Sequence, residues 1–119
     1  ENKNGEWVAH ALPDEAQISP THAIHSGDFS GDGKTDLLVA GNDIGFDVET
    51  GPVNTSPGYL LAGDGKGGFK ATTPSKSGFW TTGEVRSLKP IKSTLSAKKA
   101  WLVANNNAQM QFFLQKIKE

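Results

Sequence analysis

The chain contains no cysteine. Disulfides, zinc–thiolate sites and thiol nucleophiles are therefore excluded. The absence is neutral on compartment, since many exported proteins also lack cysteine. No apolar run approaches the roughly 20 residues that a membrane-spanning helix needs. Neither sign of charge is in excess: 12 Lys and Arg stand against 13 Asp and Glu, for a net charge of −1. The isoelectric point is near 6.3. So balanced a surface offers no long-range field for nucleic acid or for an anionic membrane. Long helix-favouring windows are few, and neither Gly-x-Ser-x-Gly nor His-Glu-x-x-His occurs. No signal-peptide pattern stands at the start. The chain opens Glu1-Asn2-Lys3-Asn4-Gly5 rather than with Met, so it is expected to be a piece of a longer precursor.

What is present points to β structure. At 119 residues the chain is one domain or part of one, able to bury a modest core. Its 14 Gly and 6 Pro exceed the average share of roughly 12%. Many turns and few helix windows predict an all-β protein.

The most informative stretch is Asp28-Phe29-Ser30-Gly31-Asp32-Gly33-Lys34-Thr35-Asp36, followed by Leu37-Leu38-Val39-Ala40. A tight loop with oxygens at alternating positions can wrap a hard cation such as Ca²⁺, which takes six to eight oxygen ligands at about 2.3–2.6 Å. Asp28, Ser30 and Asp32 would occupy positions 1, 3 and 5. The Lys34 carbonyl would be position 7, and Asp36 position 9. Gly33 stands where the chain must turn sharply. An EF-hand would need a bidentate Glu at position 12 and flanking helices. Position 12 is Val39, and both flanks read as strands. The plainer reading is an Asp/Gly-rich turn capping a hairpin. Ser is also a poorer ligand than Asp or Asn.

Along the chain, Glu6–Leu12 reads as a strand ended by Pro13, and residues 14–20 as a linker between prolines. Thr21–Phe29 is the next strand. Asp36–Asn42 is apolar on both faces, as expected of a strand packed on both sides. Residues 43–57 form a long polar insertion. Gly58–Gly63, the turn Asp64–Gly68 and Phe69–Thr72 make a hairpin. After a linker over 73–78 the pattern restarts with strands at Glu84–Ile91, Lys99–Asn105 and Gln109–Leu114 and a loop over Lys92–Ala97. Leu38–Asp43 lines up with Leu102–Asn107, a repeat longer than the common periods of about 20–50 residues. The second copy carries Lys89, Lys92, Lys98 and Lys99 where the first has carboxylates, so only the first is expected to bind metal.

Gly27–Val39 resembles the FG-GAP/VCBS repeat, in which a D-x-[DN]-x-D-G-x-x-D loop precedes a hydrophobic strand. Tyr59–Phe69 is similar to the second half of that repeat. The resemblance covers one repeat, Thr21–Thr72, and a degenerate one from Glu84 onward. It implies four-stranded antiparallel β-propeller blades as in integrin α chains, here about two blades of a larger ring. It implies Ca²⁺ ligands at Asp28, Asp32, Asp36 and the Lys34 carbonyl, with Ser30 where the family usually has Asn or Asp. Residues 1–20 would be the outer strand of a preceding blade plus linker, 21–78 the calcium blade and 79–119 a degenerate terminal blade. The C-terminal part also resembles the end of large bacterial surface proteins of the VCBS/ASPIC type. Trp7–Leu12 would pair with Gln109–Leu114 to complete the second sheet, or the piece would associate with copies of itself.

Other candidates carry less. His10, His22 and His25 read as structural. Asp43, Asp47 and Glu49 could form a second cation site or an acid/base pair, against the plainer reading of a solvated acidic loop. Gly63–Gly68 is not a phosphate loop, because a strand follows it rather than a helix. Trp101 reads as core; Trp80 is the best exposed platform for a sugar. The residues favour a non-catalytic calcium-binding module of an exported, cell-surface or periplasmic protein, contacting a protein or glycan through Asp47, Glu49 and Trp80. The alternative is part of a polysaccharide lyase or hydrolase with its site in the 43–57 loop or in missing blades. A weaker third reading is a self-assembling structural piece. No nucleic acid and no direct membrane insertion are expected.

Overall fold

A computed structural model describes residues 1–45, 49, 51, 55–92 and 99–115. Among them the strands form three antiparallel sheets, and no sheet closes on itself. The all-β expectation holds.

The first sheet is a small hairpin of β1 (Asn2–Lys3) and β2 (Glu6–Trp7). Asn4 and Gly5 turn it, both at positive φ (54° and 95°), the conformation that Asn-Gly favours in tight hairpins. This corrects the expected strand Glu6–Leu12. The chain folds back on residues 2–3 instead, and the strand stops at Trp7. The pairing of Trp7–Leu12 with the C-terminal strand is likewise not formed. A single 3₁₀ turn at Asp14–Ala16 follows Pro13.

The second sheet runs in sequence order through β3 (Thr21–Gly27), β4 (Asp36–Gly41), β5 (Tyr59–Gly63) and β6 (Phe69–Thr72). A short helix, α1 (Pro74–Ser77), occupies the linker after it. Pro74 starts the helix and Gly78 ends it at φ 72°. Both residues suit those positions: Pro presets helical φ and lacks only an N–H that would go unused, while Gly tolerates the left-handed cap.

The third sheet contains β7 (Val85–Ile91), β8 (Ala100–Asn105) and β9 (Gln111–Leu114). Its β7–β8 register repeats that of β3–β4 at a constant offset of 64 residues, with Thr21 opposite Gly41 and Val85 opposite Asn105. Even the irregularity recurs, between Thr21 and Ala23 in one sheet and Val85 and Ser87 in the other. No counterpart of β6 lies beside β9 among the described residues.

Residues opposite one another across a ladder share a face. Ala23, Leu38, Ala40 and Leu60 face one way from the second sheet. They pack on Leu88, Trp101 and Val103 of the third to form the core. The other face of the third sheet carries Leu102, Phe112 and Leu114, the last two more than half exposed. Leu102 is the counterpart of Leu38. The sheets therefore stack in one sense, and the exposed face of the third corresponds to the buried face of the second.

Candidate metal site

The Asp28–Asp36 loop joins β3 to β4, two antiparallel strands, as its flanks predict. Gly31 (φ 79°) and Gly33 (φ 81°) supply the reversals that other residues resist. Within the loop each carboxylate is turned onto backbone amides. Asp28 Oδ1 accepts from Gly31 N (2.6 Å) and Asp32 N (3.2 Å), and Oδ2 accepts from Gly33 N (3.0 Å). Asp32 Oδ1 accepts from Lys34 N (2.9 Å), and its Oδ2 lies 3.4 Å from Lys34 Nζ. The Lys34 amide, helped by the Lys34 charge, holds the Asp32 carboxyl below its ordinary range.

Asp36 is fully buried. Its Oδ2 accepts from Phe29 N (2.9 Å) and Ser30 N (2.7 Å), and its Oδ1 from Gly63 N (2.9 Å). It therefore ties the start of the loop to the end of β5. An acidic residue inside the sheet is tolerable because three N–H groups replace the water it lost.

The neighbouring β5–β6 turn lies beside this loop. Asp64 Oδ1 accepts from Lys66 N (2.7 Å) and Gly68 N (2.9 Å), which lower the Asp64 carboxyl in the same way. A methyl group on Gly65 would sit 3.4 Å from Lys34 Cδ. The loop is also braced from the third sheet. Gln115 Nε2 donates to the carbonyls of Asp28 (3.3 Å) and Phe29 (3.1 Å), and the Phe29 ring meets Trp101 edge-on at 5.1 Å.

The donor chemistry suits a hard cation: the ligands on offer are oxygens, and an ionised carboxylate has about four lone-pair sites, more than the amides use. Ser30 Oγ is buried without a hydrogen bond of good geometry, though its hydroxyl lies close enough to Asp32 to help lower that carboxyl. As they stand, though, no three His, Asp or Glu side chains among the described residues form a ready cage. Asp28, Asp32 and Asp36 would share a cation only after Asp28 and Asp32 turn some oxygens inward.

The other candidates scatter. Asp47 lies outside the described residues, and Glu49 is exposed. Asp43 Oδ1 caps Gly45 N (3.2 Å). Trp80 is 56% exposed and stands at the insertion's end of the sheets, where the next residue's amide, Thr81 N, donates to Pro57 O (2.7 Å). Trp101 is 4% exposed, a core residue as expected. His10 pairs with Glu1 (2.8 Å), His22 is exposed, and His25 rests against Phe29 and Trp101.

One buried residue carries little signal in the sequence. Asn42, buried at positive φ (80°), accepts from Ser56 N (2.9 Å) and Ser19 Oγ (2.8 Å) and donates to Ser56 O (2.7 Å) and Gly83 O (3.1 Å). It joins four segments. Its only local signal is an Asn after a glycine at a strand's end. Comparison with protein-family models, with curated proteins and with solved structures returns no match.

Proposed function

We propose that the chain is a non-catalytic β-module of FG-GAP/VCBS type, built from propeller blades and stabilised by Ca²⁺ in the Asp28–Asp36 loop. The observation that carries this reading is the charge of that loop. Three carboxylates sit within nine residues joining two strands, and Lys34 is the only cation paired with them among the described residues. Amides orient the carboxylates but do not cancel their mutual repulsion; a divalent ion would. In this reading Asp28, Ser30, Asp32, Asp36 and the Lys34 carbonyl hold the ion.

Extracellular sites of this kind bind at about 10⁻⁴–10⁻³ M, matching a compartment rich in calcium. The module accordingly belongs outside the cell, on its surface or in the periplasm. Its exposed face of Leu102, Phe112 and Leu114 meets a further blade of the parent, and its insertion end, with Trp80, meets a protein or glycan.

Calcium at about 10 mM should add about 1.4–2.7 kcal/mol to stability. The melting temperature should rise roughly 5–10 °C, and Asp32→Ala should remove the rise. Identical melting curves in calcium and in chelator would overturn the proposal.

A further inference from the structure

The shared register lets each position of one large sheet be set beside its counterpart in the other. Leu38 and Leu60, on the face of the second sheet that meets the third, are 5% and 8% exposed. Their counterparts Leu102 and Phe112, opposite one another in the same way, are half-buried and 55% exposed. On the other face the inequality is reversed. Leu88, which packs on the second sheet, is 5% exposed, and its counterpart Ile24 is 59% exposed. Val39 and Leu61, on the same face as Ile24, are already buried, so the open part of that face is its β3 side. Within the chain the two sheets approach most closely along β3 and β7. The chain thus makes one sheet-on-sheet contact internally and leaves the two halves of a second one open, on its opposite outer sides.

Charge divides along the same line. Residues 1–78 carry eleven Asp and Glu against five Lys, whereas residues 79–119 carry seven Lys and Arg against two Glu. Lys89 lies opposite Leu102, on the open face of the third sheet, and has no ion-pair partner among the described residues. Asp14 and Glu15 are exposed in the segment that leads into β3. The segment that leads into β7 takes part in the internal contact through Phe79. We propose that a second copy of this chain seats its β3 side, around Ile24, on the open face of the third sheet, in the relation that the third sheet already has to the second. Asp14 and Glu15 of the one copy then approach Lys89 of the other. The contact is head-to-tail, so a pair still has one free side of each kind and assembly continues beyond it. It needs no calcium, and of the module proposed above it takes only that a further sheet covers the open face. In the 119-residue chain that sheet is a second copy's.

The test follows the whole chain by analytical ultracentrifugation in chelator, so that it stands apart from the calcium reading, which melting curves decide. Species larger than a dimer are expected as concentration rises. Raising NaCl from about 50 mM to about 500 mM should weaken association about fivefold, because opposite charges meet at a solvated rim. Ile24→Lys, at an exposed site, places a cation where Lys89 of the next copy arrives, and should leave a monomer. Phe112→Ser/Leu114→Ser should do the same from the other side. Melting temperatures near that of the parent show that both variants stay folded. Mixed in equal amounts, the two variants should form a one-to-one pair and nothing larger, because one intact side of each kind remains. A parent chain that is monomeric at every concentration overturns the proposal. So does an Ile24→Lys variant that associates as the parent does, since the third sheet would then meet its own like. A mixture that stays monomeric also overturns it, and association indifferent to salt overturns the charge matching.

Discussion

The buried carboxylate of Asp36 and the amide of Gly63 are joined by a 2.9 Å hydrogen bond across 27 residues of chain. The same carboxylate receives Phe29 N and Ser30 N. One side chain at the head of β4 therefore positions both the start of the acidic loop and the end of β5. Removing it strands three N–H groups away from water. Asp36→Ala should cost about 3–5 kcal/mol, read by urea denaturation at neutral pH. Asp36→Asn retains one acceptor oxygen and should cost less, about 1–3 kcal/mol. A loss under 1 kcal/mol for the alanine variant would mean the loop is held by other contacts.

Gly63 is constrained from a second side. A Cβ there would run into the Thr35 carbonyl, a backbone atom that cannot swing away. Gly63→Ala should force β5 off the loop, destabilising by about 2–4 kcal/mol. It should also weaken calcium binding, because Asp36 would lose one of the groups that orient it. Stability near that of the parent would show that the sheet end can yield.

Acid should loosen the two turns at this end of the sheet. Asp32 and Asp64 have carboxyls held lower in the folded chain, chiefly by the Lys34 amide and by the Lys66 and Gly68 amides respectively. A lowered folded pKa stabilises at every pH above the unfolded value, about 3.9 for Asp. The contribution fades as pH falls through the folded pKa. In Asp32→Asn/Asp64→Asn the fall in stability from pH 4.5 towards pH 2 should therefore be shallower. Both turns are exposed, so the difference will be small and is best read from amide exchange at Lys34, Lys66 and Gly68. Unchanged exchange profiles would refute it.

The exposed face of the third sheet should drive association. Phe112 and Leu114 are 55% and 51% exposed, and the equivalent face of the second sheet is buried. Phe112→Ser/Leu114→Ser should lower the sedimentation coefficient at high protein concentration and leave the melting temperature nearly unchanged. A monomer at every concentration before substitution would remove the reason for the change.

Much of the β architecture was legible locally. The strands from Thr21 onward were readable from short apolar runs between Gly, Pro and Asp clusters, because a strand buried on both faces has little room for polar residues. The acidic loop was readable because its alternating oxygens and glycines are a local pattern. The alignment of Leu38–Asp43 with Leu102–Asn107 foretold the shared register of the two sheets. Over the N-terminal segment the local pattern misleads, because Asn4-Gly5 turns the chain back before Trp7; the hairpin ends with the Glu1–Val8 backbone pair, and Ala9–Leu12 has no strand to join.

By itself the sequence determined which segments are extended, where the chain reverses and where negative charge gathers, all properties of residues close together along the chain. Only the tertiary structure decided that Asp36 is buried and spends its oxygens on amides from two other segments, and that Asn42 joins four. It alone brought the Trp101 ring against Phe29. Those arrangements depend on which distant backbone N–H groups and rings arrive at one place, and no local pattern of residue types encodes that.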